Sequence, residues 1–217
     1  MPDHRTRFLE QALRADALRF GQFTLKSGRS SPYFFNAGLF NSGAALAALA
    51  GCYADAIEQA GLDFDLLFGP AYKGIPLATA LACELSARGR DVPVAFNRKE
   101  AKTHGEGGSL IGAPLAGKRV LIVDDVITAG TAIREALGII AWAGGQAAGI
   151  VIALDRQERV AEDDSRSAAA SVAQEHGLPV IAVASLDDLL AYADDHAALA
   201  DERQRLHDYR VRYGSGL

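Results

Sequence analysis

The sequence predicts an α/β fold in which a twisted parallel sheet is flanked by helices. From about residue 64 onward, short apolar runs alternate with Ala- and Leu-rich segments that are long enough for helices, a pattern typical of parallel strands joined by crossover helices. Ligands bind beyond the carboxyl ends of such strands, so we expect functional residues directly after each apolar run. The predicted strands are residues 66–68, 92–96, 120–123, 149–154 and 180–184, and the predicted helices are residues 76–88, 131–143 and 168–176.

The 217 residues are expected to form one domain, because a chain of this length can bury a single sizeable core. Residues 1–60 combine two amphipathic helix patterns, at 6–19 and 44–60, with a turn-rich aromatic segment between them, which predicts an N-terminal hood over the sheet edge. The sheet core is predicted over residues 61–185. Residues 186–217 are predicted to be helical and to pack outside the core.

Composition excludes several classes of protein. The net charge of −5 argues against a broad basic face for nucleic acid or anionic membrane. No apolar stretch is long enough to cross a bilayer and the N-terminus does not resemble a signal peptide, so a cytoplasmic protein is expected. Cys52 and Cys83 have no second Cys or His at metal-ligand spacing, and both are interpreted as small core residues.

The most informative segment is residues 120–132, Val-Leu-Ile-Val-Asp-Asp-Val-Ile-Thr-Ala-Gly-Thr-Ala. A buried strand ends in two carboxylates, and a Thr/Gly loop then opens a helix, whose free N–H groups and positive dipole end suit a phosphate monoester. Adjacent carboxylates also suit the vicinal hydroxyls of a ribose. The alternative is that Asp124 and Asp125 only cap the turn while Thr131 caps the helix, which isolated junctions of this kind commonly do.

This segment resembles the signature by which the type I phosphoribosyltransferases bind 5-phosphoribosyl 1-diphosphate (PRPP), and the match is unbroken over its thirteen positions. The resemblance implies the fold of that family, with Asp124 and Asp125 at the ribose hydroxyls and the loop at the 5-phosphate. No Walker-type phosphate loop occurs in the sequence. The resemblance places at PRPP, besides the two acids, Val126, Ile127, Thr128, Ala129, Gly130, Thr131 and Ala132.

The hood segment, residues 20–36, closely resembles that of the bacterial orotate phosphoribosyltransferases. The resemblance implies that Lys26, Phe34 and Phe35 lie against bound base and PRPP. Two consecutive aromatic residues would give a flat pyrimidine an apolar surface, and a lysine would supply charge near an anionic ligand. The alternative is that Phe34 and Phe35 belong to the ordinary core of the hood.

Residues 68–76 follow the first core strand and resemble the family's pyrophosphate loop. The resemblance implies that Tyr72 and Lys73 contact PRPP. Family members often hold a cis peptide bond in this loop, which here would join Ala71 to Tyr72. A solvated surface lysine is the alternative for Lys73.

Residues 97–108 concentrate basic or titratable side chains in a glycine-rich stretch. Such a stretch is usually a solvated excursion, but it also suits a lid that orders over a pyrophosphate and excludes water. The resemblance implies the lid, with some of its residues reaching into the neighbouring subunit of a homodimer. Its implied pyrophosphate ligands are Arg98, Lys99, Lys102 and His104.

Arg156 follows a core strand within the string Asp-Arg-Gln-Glu-Arg. Orotate carries a carboxylate, for which the planar fork of arginine is a matching bidentate donor. The resemblance implies that Arg156 lies in the orotate site, and Thr128 is also assigned there. The alternative is a surface ion pair between Asp155 and Arg156.

The resemblance therefore implies an enzyme of pyrimidine biosynthesis that transfers the phosphoribosyl group of PRPP to orotate. Mg²⁺ is the expected cofactor, held mainly by PRPP and water rather than by protein ligands. Asp124 and Asp125 would position the sugar, and Lys102, ahead of His104, is the preferred proton donor to the leaving pyrophosphate. The rival classes are a phosphoribosyltransferase for uracil or a purine, which would not need Arg156, and a regulator that only senses PRPP.

Overall fold

The computed structural model describes residues 3–25, 28–99, 110–161 and 164–216. The N-terminal part consists of a helix, a two-stranded antiparallel hairpin, a 3-10 turn at Ala37–Leu39 and a long second helix. We call this part the hood. Its elements are α1 (His4–Arg14), β1 (Leu18–Thr24), β2 (Ser30–Phe35) and α2 (Gly43–Ala60).

The remainder of the chain alternates strands and helices as the sequence predicts. Through the core the elements are β3 (Leu66–Gly69), α3 (Gly74–Ala87), β4 (Val94–Asn97), β5 (Leu110–Gly112), β6 (Arg119–Asp124), α4 (Thr131–Trp142), β7 (Gln146–Asp155), β8 (Arg159–Ala161), β9 (Asp164–Ser167), α5 (Ala168–His176) and β10 (Val180–Ser185). They are followed by α6 (Leu186–Asp195), a 3-10 turn (Ala197–Leu199) and α7 (Ala200–Tyr213).

The main sheet has six strands in the order β10-β7-β6-β3-β4-β5. All neighbouring pairs are parallel except β4 and β5, so the sheet is mixed only at that edge. The five predicted strands and the three predicted core helices are confirmed, with bounds that shift by a few residues. The chain runs toward one edge from β3 to β4 and toward the other from β6 to β7, which makes the junction of β3 and β6 the point where ligands bind in folds of this kind.

The junction of β3 and β6 has a defined register. Leu66 lies beside Val120 and Phe68 beside Ile122, and all four side chains are fully buried. At the amino ends of the same strands, the backbone N–H of Arg119 donates to Asp65 (2.8 Å) and its guanidinium Nη2 donates to the same carboxylate (2.9 Å). The two strands are therefore aligned from their amino ends.

Two expectations, one about the first helix and one about a cysteine, are corrected. The first helix ends at Arg14 rather than at residue 19, because Asp16 takes a left-handed conformation (φ 54°) and Leu18 already pairs with Phe35 in the hairpin. Cys52 is buried as expected, but Cys83 is exposed because it lies on the outer face of α3.

The C-terminal part is helical as predicted, but α7 does not lie outside the core. Leu206 and Tyr209 are buried and join the same apolar cluster as the hood. After β7 and Arg156, the chain forms the small antiparallel hairpin of β8 and β9. None of the helices in the described ranges is both long and apolar enough to span a membrane.

Candidate active site

Four of the segments singled out in the sequence meet at one edge of the sheet. The carboxyl ends of parallel strands lie on the same side, and these segments follow four consecutive strands of the order β7-β6-β3-β4. Arg156 follows β7, the two acids end β6, the pyrophosphate-type loop follows β3, and Arg98 with Lys99 follows β4. The fold therefore assembles residues that lie far apart in the chain.

The acidic pair is buried and connected. Asp124 and Asp125 are 8% and 6% exposed, and Lys73 donates from Nζ to Oδ2 of Asp125 (2.6 Å). Tyr53 in α2 donates to the backbone oxygen of Asp124 (2.8 Å), which fixes the strand end against the hood. Burial, and next the charge of Asp125, raises the pKa of Asp124 to about 7.

The loop after the acidic pair is open to solvent. Thr128, Ala129, Thr131 and Ala132 are exposed, and Gly130 takes a left-handed conformation (φ 73°) directly before α4. The alternative in which Thr131 caps the helix is not observed, because the N-cap is Gly130 and no side chain caps it. Within the described ranges, the backbone N–H groups of residues 128–132 have no acceptor. An exposed turn with unpaired N–H groups can bind a phosphate.

Asp124 has a partial capping role, as the alternative interpretation of the acids suggested. Its Oδ1 accepts the backbone N–H of Asp125 (2.9 Å). Oδ2 of Asp124 makes no hydrogen bond to any residue that the structure describes. Capping therefore leaves carboxylate oxygen free for a ligand at this position.

The loop after β3 fits tightly against the start of α3. The peptide bond between Ala71 and Tyr72 is cis, as the sequence prediction specified. Asn97, at the end of β4, accepts the backbone N–H of Ala71 through Oδ1 (2.8 Å). Tyr72 is 67% exposed, and Nζ of Lys99 lies 5.0 Å from the centre of its ring. Tyr72, Lys73 and Lys99 are thus brought to one side of the acidic pair.

The two aromatic residues of β2 lie on opposite faces of the hairpin, because successive side chains of a strand alternate. Phe35 packs in the core, with its ring 5.8 Å from that of Phe8. Phe34 faces the other way, 5.5 Å from the ring of Phe23. One flat ligand cannot lie against both rings, so the two-ring surface expected from the sequence is corrected. Contact of a base with either residue stays a prediction.

Arg156 is largely enclosed, with 13% of its side chain exposed. Its Nε donates to Oε1 of Glu158 (2.7 Å), and its guanidinium carbon lies 4.6 Å from the centre of the Tyr33 ring. The surface pair with Asp155 is not observed, since that carboxylate accepts instead from the backbone N–H of Gln157 (2.8 Å).

Three predicted site residues, Lys26, Lys102 and His104, lie outside the described residues. Sequence reasoning missed the contributions of Asn97, Glu158 and Tyr53. Glu158 had a local signal, since it stands two positions after Arg156, whereas Tyr53 is a helical tyrosine whose partner is 71 residues away.

The acidic pair is the part of the site that offers oxygen donors to a metal ion. Nowhere in the described ranges do three or more His, Cys, Asp or Glu side chains form a cluster that could hold a metal ion. The acidic pair already has a cation, Lys73, against Asp125. Carboxylate oxygens are donors that Mg²⁺ accepts, so Asp124 and Asp125 are chemically compatible with a Mg²⁺ ion.

Comparison with known proteins identifies the class. The family model of the phosphoribosyl transferase domain matches residues 37–173, which include the acidic pair, the loop after it and Arg156. The chain therefore belongs to the phosphoribosyltransferases.

Similarity along the whole chain identifies the particular family. The chain is 74% identical to orotate phosphoribosyltransferase of Xanthomonas oryzae pv. oryzae over 215 residues, 99% of this chain and 98% of the relative. It is 71% identical to orotate phosphoribosyltransferase of Stenotrophomonas maltophilia over 214 residues, again 99% and 98%. The crystal structure of orotate phosphoribosyltransferase from Francisella tularensis superposes with a TM-score of 0.86 at 44% identity, covering 96% of this chain and 99% of that one. Within its class, the chain is a member of the orotate phosphoribosyltransferase family.

Proposed function

We infer that this chain transfers the 5-phosphoribosyl group of PRPP to orotate, giving orotidine 5′-monophosphate and pyrophosphate in pyrimidine biosynthesis. The observation that carries this inference is the meeting of two sites on adjacent strands. The acidic pair and its loop end β6, and Arg156 follows β7, its parallel neighbour. A sugar phosphate and an anionic base held at these positions would lie side by side.

On the PRPP side, the free N–H groups of residues 128–132 support binding of the 5-phosphate. The nearby acidic pair offers acceptors to the ribose hydroxyls, and Lys73 and Tyr72 border it from the loop after β3. The diphosphate is assigned to the cations around this loop, because phosphate oxygens pair with ammonium and guanidinium groups. Those cations are Lys73, Arg98, Lys99 and, outside the described residues, Lys26, Lys102 and His104.

On the orotate side, Arg156 supports selection of a base that carries a carboxylate. Uracil and the purines lack this group, so a site built around an enclosed arginine disfavours them. Lys26, Thr128 and the Phe34–Phe35 segment complete the proposed contacts with the base.

The chemistry is a displacement at C1 of the ribose. A ring nitrogen of orotate forms the new bond to C1 with inversion, while the bond from C1 to the pyrophosphate oxygen breaks. The residues of this chain position the reactants, screen the charge of the leaving group and exclude water. Bound Mg²⁺ would neutralise the diphosphate. Lys102, with His104 as the second candidate, is proposed to donate a proton to the departing oxygen.

We further propose a cytoplasmic homodimer in which residues 97–108 of one subunit cover the site of the other. The resemblance of this glycine-rich segment to the lid of the family supports the shared site. Closed symmetry is also the usual assembly of identical chains. PRPP is a multiply charged ester that does not cross a bilayer unaided, which supports the location.

Lys102→Ala is expected to lower kcat about 100-fold with a smaller change in KM for orotate, because general acids typically contribute this much. Both constants are measured by steady-state kinetics with orotate varied at saturating PRPP and Mg²⁺. The matched control is Lys118→Ala, an exposed lysine at the opposite edge of the sheet, which should behave as wild type. An unchanged kcat in Lys102→Ala would remove its role as proton donor.

Mixing two inactive variants tests whether the active site is shared between subunits. If Lys102 acts across the dimer, equal amounts of inactive Lys102→Ala and Asp125→Asn enzymes should regain up to about a quarter of wild-type activity after subunit exchange, since half the dimers then hold one intact site of two. If each site is built from one chain alone, no site in the mixture can hold both Lys102 and Asp125. The mixture should then stay inactive. Continued inactivity after exchange, verified with tagged subunits, would contradict sharing.

The function itself is tested by following the loss of orotate absorbance with purified protein, PRPP and Mg²⁺, with uracil, hypoxanthine and adenine in parallel. Consumption of orotate alone, dependent on PRPP, is the expected result. Reaction with another base would keep the class but contradict the assigned base. PRPP binding without any reaction would favour a PRPP sensor.

A further inference from the structure

The segment that carries Arg156 is held by the C-terminal part of the chain. Gln157, in a left-handed conformation (φ 49°), accepts the backbone N–H of Ser215 at its own backbone oxygen (2.7 Å). Its side chain donates to Asp187 at the start of α6 (2.9 Å), and Arg210 in α7 donates to the same carboxylate (3.0 Å). Helix α7 and the residues after it therefore fix the backbone on which Arg156 stands.

A second connection runs directly to the guanidinium. Oε1 of Glu158 accepts from Nε of Arg156 (2.7 Å), lies 2.6 Å from its Nη2 and accepts the hydroxyl of Tyr209 in α7 (2.7 Å). Burial first, and then the charge of Glu158, raises the pKa of Tyr209 to about 12, so this hydroxyl stays a donor at neutral pH. One carboxylate oxygen thus joins α7 to the arginine.

One edge of the Arg156 guanidinium, formed by Nη1 and Nη2, remains available to a ligand. Glu158 occupies the side formed by Nε and Nη2, and the other contact of Nη2 is a long one to Oγ of Ser31 (3.4 Å). Nη1 makes no hydrogen bond to any part of the chain that the structure describes. The end formed by Nη1 and Nη2 can therefore receive a second carboxylate in bidentate fashion.

The charge around Glu158 favours an anion as well. Nη1 of Arg29 lies 3.8 Å from Oε2 of Glu158, so two guanidinium groups share one carboxylate. A net positive charge remains in a region where Arg156 and Glu158 are 13% and 14% exposed. Because this positive charge is poorly hydrated, it attracts an incoming carboxylate more strongly than an exposed charge would.

We propose that Tyr209 and Glu158 are positioning residues for orotate, through which helix α7 aims the free end of the Arg156 guanidinium at the carboxylate of the base. This role rests on the proposed function. On this proposal the effect of Tyr209 on orotate passes through Glu158. The C-terminal helix is on this account a part of the base-specificity site.

The test is steady-state kinetics of Tyr209→Phe and Glu158→Gln, with orotate and PRPP varied separately. Tyr209→Phe should raise KM for orotate roughly five- to tenfold, because a hydrogen bond to a charged group is lost. KM for PRPP should change little, and the melting temperature should fall by no more than a few degrees, as the loss of one hydrogen bond to a charged group predicts. The matched control is Tyr192→Phe in α6, whose ring stacks on His196 and whose kinetics should equal those of wild type.

Glu158→Gln separates two roles of the carboxylate. If Glu158 aims Arg156, KM for orotate should rise, since the shared oxygen loses its charge. If Glu158 only neutralises Arg156, the freed positive charge should lower KM for orotate, which would overturn the proposal. Inhibition by uracil, a base without the carboxylate, should be the same in wild type and both variants.

Combining Tyr209→Phe with Arg156→Ala distinguishes a wrong role for Tyr209 from a wrong assignment of the enzyme's function. Tyr209→Phe should add no further loss in the Arg156→Ala background, because residues that act through one another are not additive. Additive losses, or equal increases in KM for orotate and PRPP, would reduce Tyr209 to a structural residue while the enzyme stays an orotate phosphoribosyltransferase. A wild-type protein inert toward orotate would instead contradict the proposed function.

Discussion

Asp124→Asn is expected to lower kcat/KM for PRPP by about 100- to 1000-fold, the usual effect of removing one electrostatic contact from a transition state. The same variant should be more stable than wild type in the absence of ligand at pH 8. Asparagine keeps the oxygen that accepts the backbone N–H of Asp125, but it cannot carry the buried charge. Activity and stability should therefore move in opposite directions.

The pH dependence follows from the raised pKa of Asp124, which burial and then Asp125 shift from 3.8 to about 7. Because the folded protein holds this proton more tightly than the unfolded chain, wild-type stability falls as the pH rises from about 4 to about 7. The Asn variant escapes this loss. Its advantage in free energy of unfolding should reach roughly 1–4 kcal/mol at pH 8 and disappear near pH 4.

Thermal unfolding across this pH range measures the effect, with Asp91→Asn as the matched control. Asp91 is an exposed carboxylate in the turn before β4, so its replacement should leave the melting temperature unchanged at every pH. A difference between Asp124→Asn and wild type that does not vary with pH would show that Asp124 is ionised throughout.

Gly74→Ala is expected to destabilise the protein by about 2–4 kcal/mol, at or above the usual range for overpacking. A Cβ on Gly74 would lie 2.6 Å from Cδ of Pro70, 2.7 Å from the backbone oxygen of Val123 and 2.9 Å from the carbonyl carbon of Gly69. These atoms belong to backbone or to a ring and cannot turn aside. The loop would have to move away from β6, which should also abolish most activity.

Urea unfolding and the orotate assay together measure this variant. The matched control is Gly138→Ala in α4, where an added Cβ meets no atom within 4 Å. That change should stabilise the protein by about 0.5–1 kcal/mol, as alanine does in a helix interior. If Gly74→Ala folds and turns over like Gly138→Ala, the close approach of loop and sheet is not required.

Much of the fold could be predicted because the core strands are apolar on both faces. Residues such as Val120, Leu121 and Ile122 are fully buried, and such runs stand out in any sequence. The end of α1 was missed because the apolar pattern continues past Arg14. The chain turns at Asp16, whose left-handed backbone conformation cannot be inferred from the spacing of apolar residues. Strand β5 has only three residues, too few to form a recognisable pattern.

The site was predictable where its residues are consecutive. The acidic pair, the loop after it and Arg156 each follow an apolar run, so local sequence located them. Contacts that cross the fold could not be found this way: Asn97 meets Ala71 26 positions away, and Tyr209 meets Glu158 51 positions away. The opposite orientation of Phe34 and Phe35 would have followed from strand alternation, had residues 30–35 been recognised as a strand.

The contacts between Asp65 and Arg119 bear on any attempt to transplant this site into another protein. They lie at the amino ends of β3 and β6, and the two loops proposed to bind PRPP lie at the carboxyl ends. A slip of one residue between these strands would turn every side chain of the moved strand to the other face. A design that copied only the two loops would lack the contacts that keep the strands in register. Asp65 and Arg119 should therefore be transferred together with the loops.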